Sequence, residues 1–72
     1  MNTREYAVGD THHIWDPISG QIKIHILAIV DEGYIVFKWY GKRKQWWHYE
    51  VLHNYSLTAK VELAEEMRNT ND

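Results

Sequence analysis

Two periods divide the chain. From about residue 6 to residue 52, apolar and aromatic side chains alternate with polar ones or run together over short stretches, as in β-strands. From Leu57 onward they recur at three and four residues, as on one side of a helix. The pattern predicts four to five antiparallel strands over residues 6–52 and a short C-terminal helix over about 57–68, within one domain covering 1–72.

The first predicted strand is Asp10 to Trp15. Asp16-Pro17-Ile18-Ser19-Gly20 is a turn, because Asp bonds nearby backbone, Pro fixes φ and Gly tolerates positive φ. The second strand, Gln21 to Val30, places Ile22, Ile24, Ile26, Ala28 and Val30 on one face and Lys23, His25, Leu27 and Ile29 on the other. Asp31-Glu32-Gly33 ends it with a hairpin signal.

Register follows from requiring one face to be apolar. A two-residue Glu32-Gly33 loop sets Val30 against Ile35, Ala28 against Phe37 and Ile26 against Trp39. A three-residue Lys42-Arg43-Lys44 loop then sets Trp39 against Trp47, Phe37 against Tyr49 and Ile35 against Val51. The expected core is therefore Ile24, Ile26, Ala28, Val30, Ile35, Phe37, Trp39, Trp47, Tyr49 and Val51. The opposite face would carry Leu27, Ile29, Val36, Tyr40 and Trp46, which is too apolar to be merely wetted. The first strand, the helix or a second copy of the chain is expected to cover it. In the helix, Ser56 or Thr58 is a candidate cap, and Leu57, Val61, Ala64 and Met67 or Arg68 form the apolar stripe.

Two stretches carry a family resemblance. Val8-Gly9-Asp10 looks like the turn that opens many SH3-like barrels. The run Tyr34-Ile35-Val36-Phe37-Lys38-Trp39-Tyr40-Gly41-Lys42-Arg43-Lys44-Gln45-Trp46-Trp47 resembles the central hairpin of Tudor and chromo-barrel domains. The resemblance implies a small SH3-like barrel, all-β, with a short C-terminal helix. Members of those families bind methylated lysine or arginine in an aromatic cage, or bind nucleic acid, so it also implies a macromolecular partner.

Composition sharpens this picture. At 72 residues, a single core needs dense packing or outside support. There are no cysteines, which excludes disulfides and thiolate metal sites, while four Trp and five Tyr supply bulk. The first ten residues lack the apolar segment of a secretory signal, and the longest apolar run, Ile26 to Val30, is far too short for a membrane helix. A cytoplasmic protein without a membrane partner is expected.

The formal charge is −2, yet Lys38 to His48 holds four basic residues, four aromatics and no acid. Basic groups neutralise phosphates or meet acidic protein surfaces, and aromatic faces stack on unpaired bases. The candidate binding residues are Lys38, Tyr40, Lys42, Arg43, Lys44, Trp46 and His48, with Trp46 expected to face outward beside Tyr40. The bland alternative is a solvated hairpin tip whose Trp residues fill the core.

Five histidines invite a metal reading, but no HxH or HxxxH spacing occurs, so no metal or other cofactor is expected. No Gly-rich phosphate loop is present, and the serines sit in turn and cap contexts, so catalysis is not expected. The sequence reads as a non-catalytic binding module. Its expected partner is a protein, including a second copy of itself, ahead of single-stranded nucleic acid because the net charge is negative and the second face of the sheet is apolar.

Overall fold

The structure, a computed structural model, describes residues 2–69. Met1 and Thr70 to Asp72, at the limits of the predicted domain, lie outside the described residues. Four strands, β1 (Thr11–Asp16), β2 (Gly20–Val30), β3 (Tyr34–Gly41) and β4 (Trp46–His53), form one antiparallel sheet in the order β1-β2-β3-β4. A helix, α1 (Asn54–Asn69), follows directly. The meander and terminal helix agree with the sequence pattern, although the helix starts three residues earlier than Leu57. The sheet is open: β1 and β4 each pair with one neighbour and do not meet.

The helix lies on one face of this sheet, chiefly over β1, and makes the domain two layers deep. Leu57, Val61 and Ala64 are buried there, as the stripe predicts, against Ile14, Ile24, Ile26, Ile35 and Phe37. Tyr6, Ile22, Trp39 and Leu52 pack around that cluster. The helix thus covers the face bearing Ile24, Ile26 and Phe37, and not the opposite face.

Both hairpin registers differ from the expected ones. In the first, Val30 pairs with Tyr34 and Ile29 with Ile35, around a three-residue turn in which Asp31 takes a left-handed φ of 50°. This register alone would set Ile26 against Lys38. A β-bulge at Leu27 absorbs one residue, so Ile26 meets Phe37 and His25 meets Lys38. The core face consequently holds Ile22, Ile24 and Ile26 before the bulge and Ile29 after it, while Ala28 and Val30 turn to the other side.

In the second hairpin the loop has four residues, Lys42 to Gln45, and Gly41 pairs with Trp46. Gln45 adopts φ 57° and donates its N–H to the Gly41 carbonyl at 2.7 Å. The extra loop residue advances β4 by one position, which reverses its faces. Phe37 then opposes Glu50, Trp39 opposes His48 and Ile35 opposes Leu52. Trp47, Tyr49 and Val51, expected in the core, are 41%, 64% and 51% exposed on the far side. Val30 joins them there, and Ala28 is only half-buried.

The N-terminal segment is tied down twice. Gly9, with φ 95°, closes a turn in which Asp10 N–H donates to the Ala7 carbonyl and Ala7 N–H donates to the Asp10 carboxylate. From that turn Gly9 N–H donates to the Ile26 carbonyl, and Ile26 N–H donates to the Asp10 carbonyl, extending the β1 side of the ladder towards the bulge. Asp16 closes the next turn by accepting the N–H groups of Ile18 and Ser19 at 3.0 and 2.9 Å.

Candidate binding face

Alternation along the observed strands assembles the open face. β3 contributes Tyr34, Val36, Lys38 and Tyr40, and β4 contributes Trp47, Tyr49 and Val51. The Lys38 ammonium sits over the Trp47 ring at 4.3 Å from its centroid, a cation–π contact. Tyr40 and His25 meet the same indole edge-on at 5.5 and 5.6 Å. Trp47 is therefore the centre of a ring cluster fixed on three rigid strands.

Charge is segregated across the sheet. Asp16 and Glu50 are the acidic residues within the four strands, and both alternate onto the helix side. The open face carries Lys23 and Lys38 without a strand carboxylate beside them. The helix adds Glu62, Glu65 and Glu66 to the opposite side of the domain. Arg4 makes a paired contact with Glu65 there at 2.7 and 3.0 Å. That hydrogen bonding holds the Glu65 carboxyl below its ordinary range and raises the Arg4 guanidinium further.

The residues expected as a site all lie in the distal half of the β3–β4 hairpin, but on two faces. Lys38 and Tyr40 are on the open face. Lys42, Arg43 and Lys44 form the exposed turn. Trp46 is 53% exposed, yet it points to the helix side, so it is Trp47 that stands beside Tyr40. His48 is on the helix side too, stacked on Trp39 at 5.1 Å, with Trp46 edge-on to it at 6.0 Å. Lys44 reaches over Trp46 at 5.5 Å.

Trp47 and Tyr49 are surface residues that the sequence pattern does not single out, because a register one residue off places them in the core. Their signal was the Tyr-Lys-Trp composition itself. A face of that kind suits exposure better than the apolar Ile set does.

Among the described residues no group of three or more His, Asp or Glu side chains is arranged to hold a metal. No described helix is long and apolar enough to cross a membrane. Comparison with family models, with curated proteins and with solved structures finds no match for this chain.

Proposed function

We propose that the chain is a non-catalytic macromolecule-binding module and that the open face of the sheet is its working surface. The observation that carries this reading is the separation of charge. An acidic protein keeps its strand carboxylates off the one face where Trp47, Tyr40 and Tyr49 are exposed beside Lys38. Rings of this kind offer large contact area at low entropy cost, and rigid strands hold them in place.

Of the two partner classes expected from the sequence, this distribution favours single-stranded nucleic acid. Phosphates are drawn to Lys23, Lys38 and the Lys42–Lys44 turn, and bases stack on exposed rings at about 1–3 kcal/mol each. The net charge of −2 weighs against this reading less than its value suggests, because the strand carboxylates Asp16 and Glu50 lie on the helix side. The kinship to SH3-like barrels belongs to this proposal as well. It rests on the meander order, the opening Gly9 turn and the bulge that bends β2.

Fluorescence anisotropy with a labelled twenty-residue oligothymidylate tests the reading. Binding at low salt should weaken steeply as salt rises, and Trp47→Ala should lower affinity about tenfold or more without unfolding the domain. Absence of binding at low salt removes the nucleic-acid reading and returns the face to a protein partner.

A further inference from the structure

β4 is an edge strand with little to protect it. One side pairs with β3, and no described backbone hydrogen bond satisfies the other. Natural sheets blunt such an edge with Pro, inward charges, bulges or short length. β4 has eight residues, runs without a bulge and holds one charged side chain, Glu50, a single helix-side carboxylate as its one protection. Trp46, Trp47, Tyr49 and Val51 are all exposed along it. β1, the other edge, is shorter, and α1 packs chiefly against it.

The sequence of β4 complements itself. In an antiparallel pair, opposed residues lie on the same face, so a twofold axis must pass beside one residue of each copy. With the axis at Tyr49, Trp47 opposes the partner's Val51 on the open face. On the helix side Trp46 opposes the partner's Leu52, and His48 opposes the partner's Glu50, each twice by symmetry. Moving the axis to Glu50 would set two carboxylates against each other. Moving it to His48 would shorten the ladder and set two imidazoles together. The geometry points to a homodimer formed by β4 pairing with β4 across a twofold at Tyr49, giving one continuous eight-stranded sheet.

A second charge relationship supports the same arrangement. Antiparallel pairing brings each copy's Lys42–Lys44 turn to the end of the sheet that carries the other copy's Asp31-Glu32 turn. The centres of the two turns are separated laterally by three strand spacings, roughly 14 Å, so the attraction between them acts at low ionic strength and is largely screened at physiological salt. This inference stands apart from the ligand of the open face, and its tests need no nucleic acid.

Sedimentation equilibrium of the intact chain should show a mass rising from 8.7 kDa towards twice that value with concentration. His48→Glu, which sets carboxylate against carboxylate, should weaken association at least tenfold. The double variant His48→Glu/Glu50→Lys restores an opposite-charge pair and should recover it. Because the chain lacks cysteine, Tyr49→Cys places a single thiol on the axis, where opposed strand residues are close enough for a disulfide. Tyr49→Cys should cross-link readily under mild oxidation, while His13→Cys on the β1 edge should not. A monomer mass at the highest attainable concentration overturns the proposal. So does equal cross-linking at the two positions, or association abolished by Val36→Lys on the open face but untouched by His48→Glu.

Discussion

The side-chain amide of Asn54 holds the backbone of Arg4 as a neighbouring strand would. Its Nδ2 donates to the Arg4 carbonyl at 2.8 Å, and its Oδ1 accepts the Arg4 N–H at 3.1 Å. The same Oδ1 accepts the Thr58 hydroxyl at 2.8 Å. That commits the only proton of Thr58, so the Tyr6 hydroxyl, 2.8 Å away, is the donor to Thr58. The Asn54 N–H meanwhile donates to the Gly33 carbonyl at 2.7 Å. One residue at the start of α1 thus joins the N-terminal segment, the β2–β3 turn and the helix. Burial raises the Tyr6 hydroxyl above its ordinary pKa, so it remains a donor throughout the neutral range.

Asn54→Ala should therefore destabilise the domain by about 1–3 kcal/mol, the range for stranding part-buried polar groups. Thr58→Val, nearly the same shape, should cost a similar amount because it leaves the Tyr6 hydroxyl without an acceptor. Tyr6→Phe should cost less than Thr58→Val. Thermal denaturation of the three variants would order them, and equal losses for Tyr6→Phe and Thr58→Val would contradict the donor assignment.

The register makes a sharp distinction between adjacent apolar residues. Phe37 is 0% exposed, so Phe37→Ala should cost about 3–5 kcal/mol. Val51→Ala should stay within about 0.5 kcal/mol in the monomer, because that side chain faces solvent. Urea denaturation at low protein concentration provides the comparison. A loss at Val51 approaching that at Phe37 would favour the apolar register expected from the sequence.

Acid should act through two carboxylates. The Ser19 and then the Ile18 backbone N–H hold Asp16 below the usual carboxylate range, and the Arg4 guanidinium does the same for Glu65. Both groups have depressed values when folded. Their stabilisation is complete above the ordinary carboxylate range and is lost as pH falls through the lowered folded values. Asp16→Asn and Glu65→Gln should each flatten the acid limb of a stability–pH curve. At neutral pH Glu65→Gln should change little, since an exposed ion pair contributes weakly.

Gly41 has room for a larger residue only if the His48 ring moves. A Cβ there would collide with the His48 imidazole. Gly41→Ala should push His48 off Trp39 and alter tryptophan fluorescence, while leaving the Ile24–Phe37 core intact. An unchanged emission spectrum would argue against that stack.

The element order was legible because Ile22, Ile24, Ile26, Ile35 and Phe37 alternate cleanly, and because Leu57, Val61 and Ala64 keep a helical period. Register was not legible. Gly33 is left-handed, as a hairpin glycine should be, but both loop lengths also depend on left-handed residues that are not glycine, Asp31 and Gln45, and Gly41 is not left-handed at all. Requiring a uniformly apolar face then selects the wrong register for β4, since that strand is aromatic at both parities. The candidate site suffered accordingly. Its location in the distal hairpin was readable from the basic-aromatic composition, but the division of Trp46 and Trp47 between faces depends on a single residue of loop length.

The Leu27 bulge changes the phase of β2 in mid-strand. In a strand with strict alternation, such a shift would carry polar side chains into the core for the rest of its length. β2 tolerates it because Ile26-Leu27-Ala28-Ile29-Val30 is apolar in either phase. That tolerance leaves a mark on the surface, since whichever phase is chosen, the unused half of the run must face outward. The apolar margin that Ala28 and Val30 give the open face is thus the necessary residue of a strand written so that a frame shift inside it does no harm.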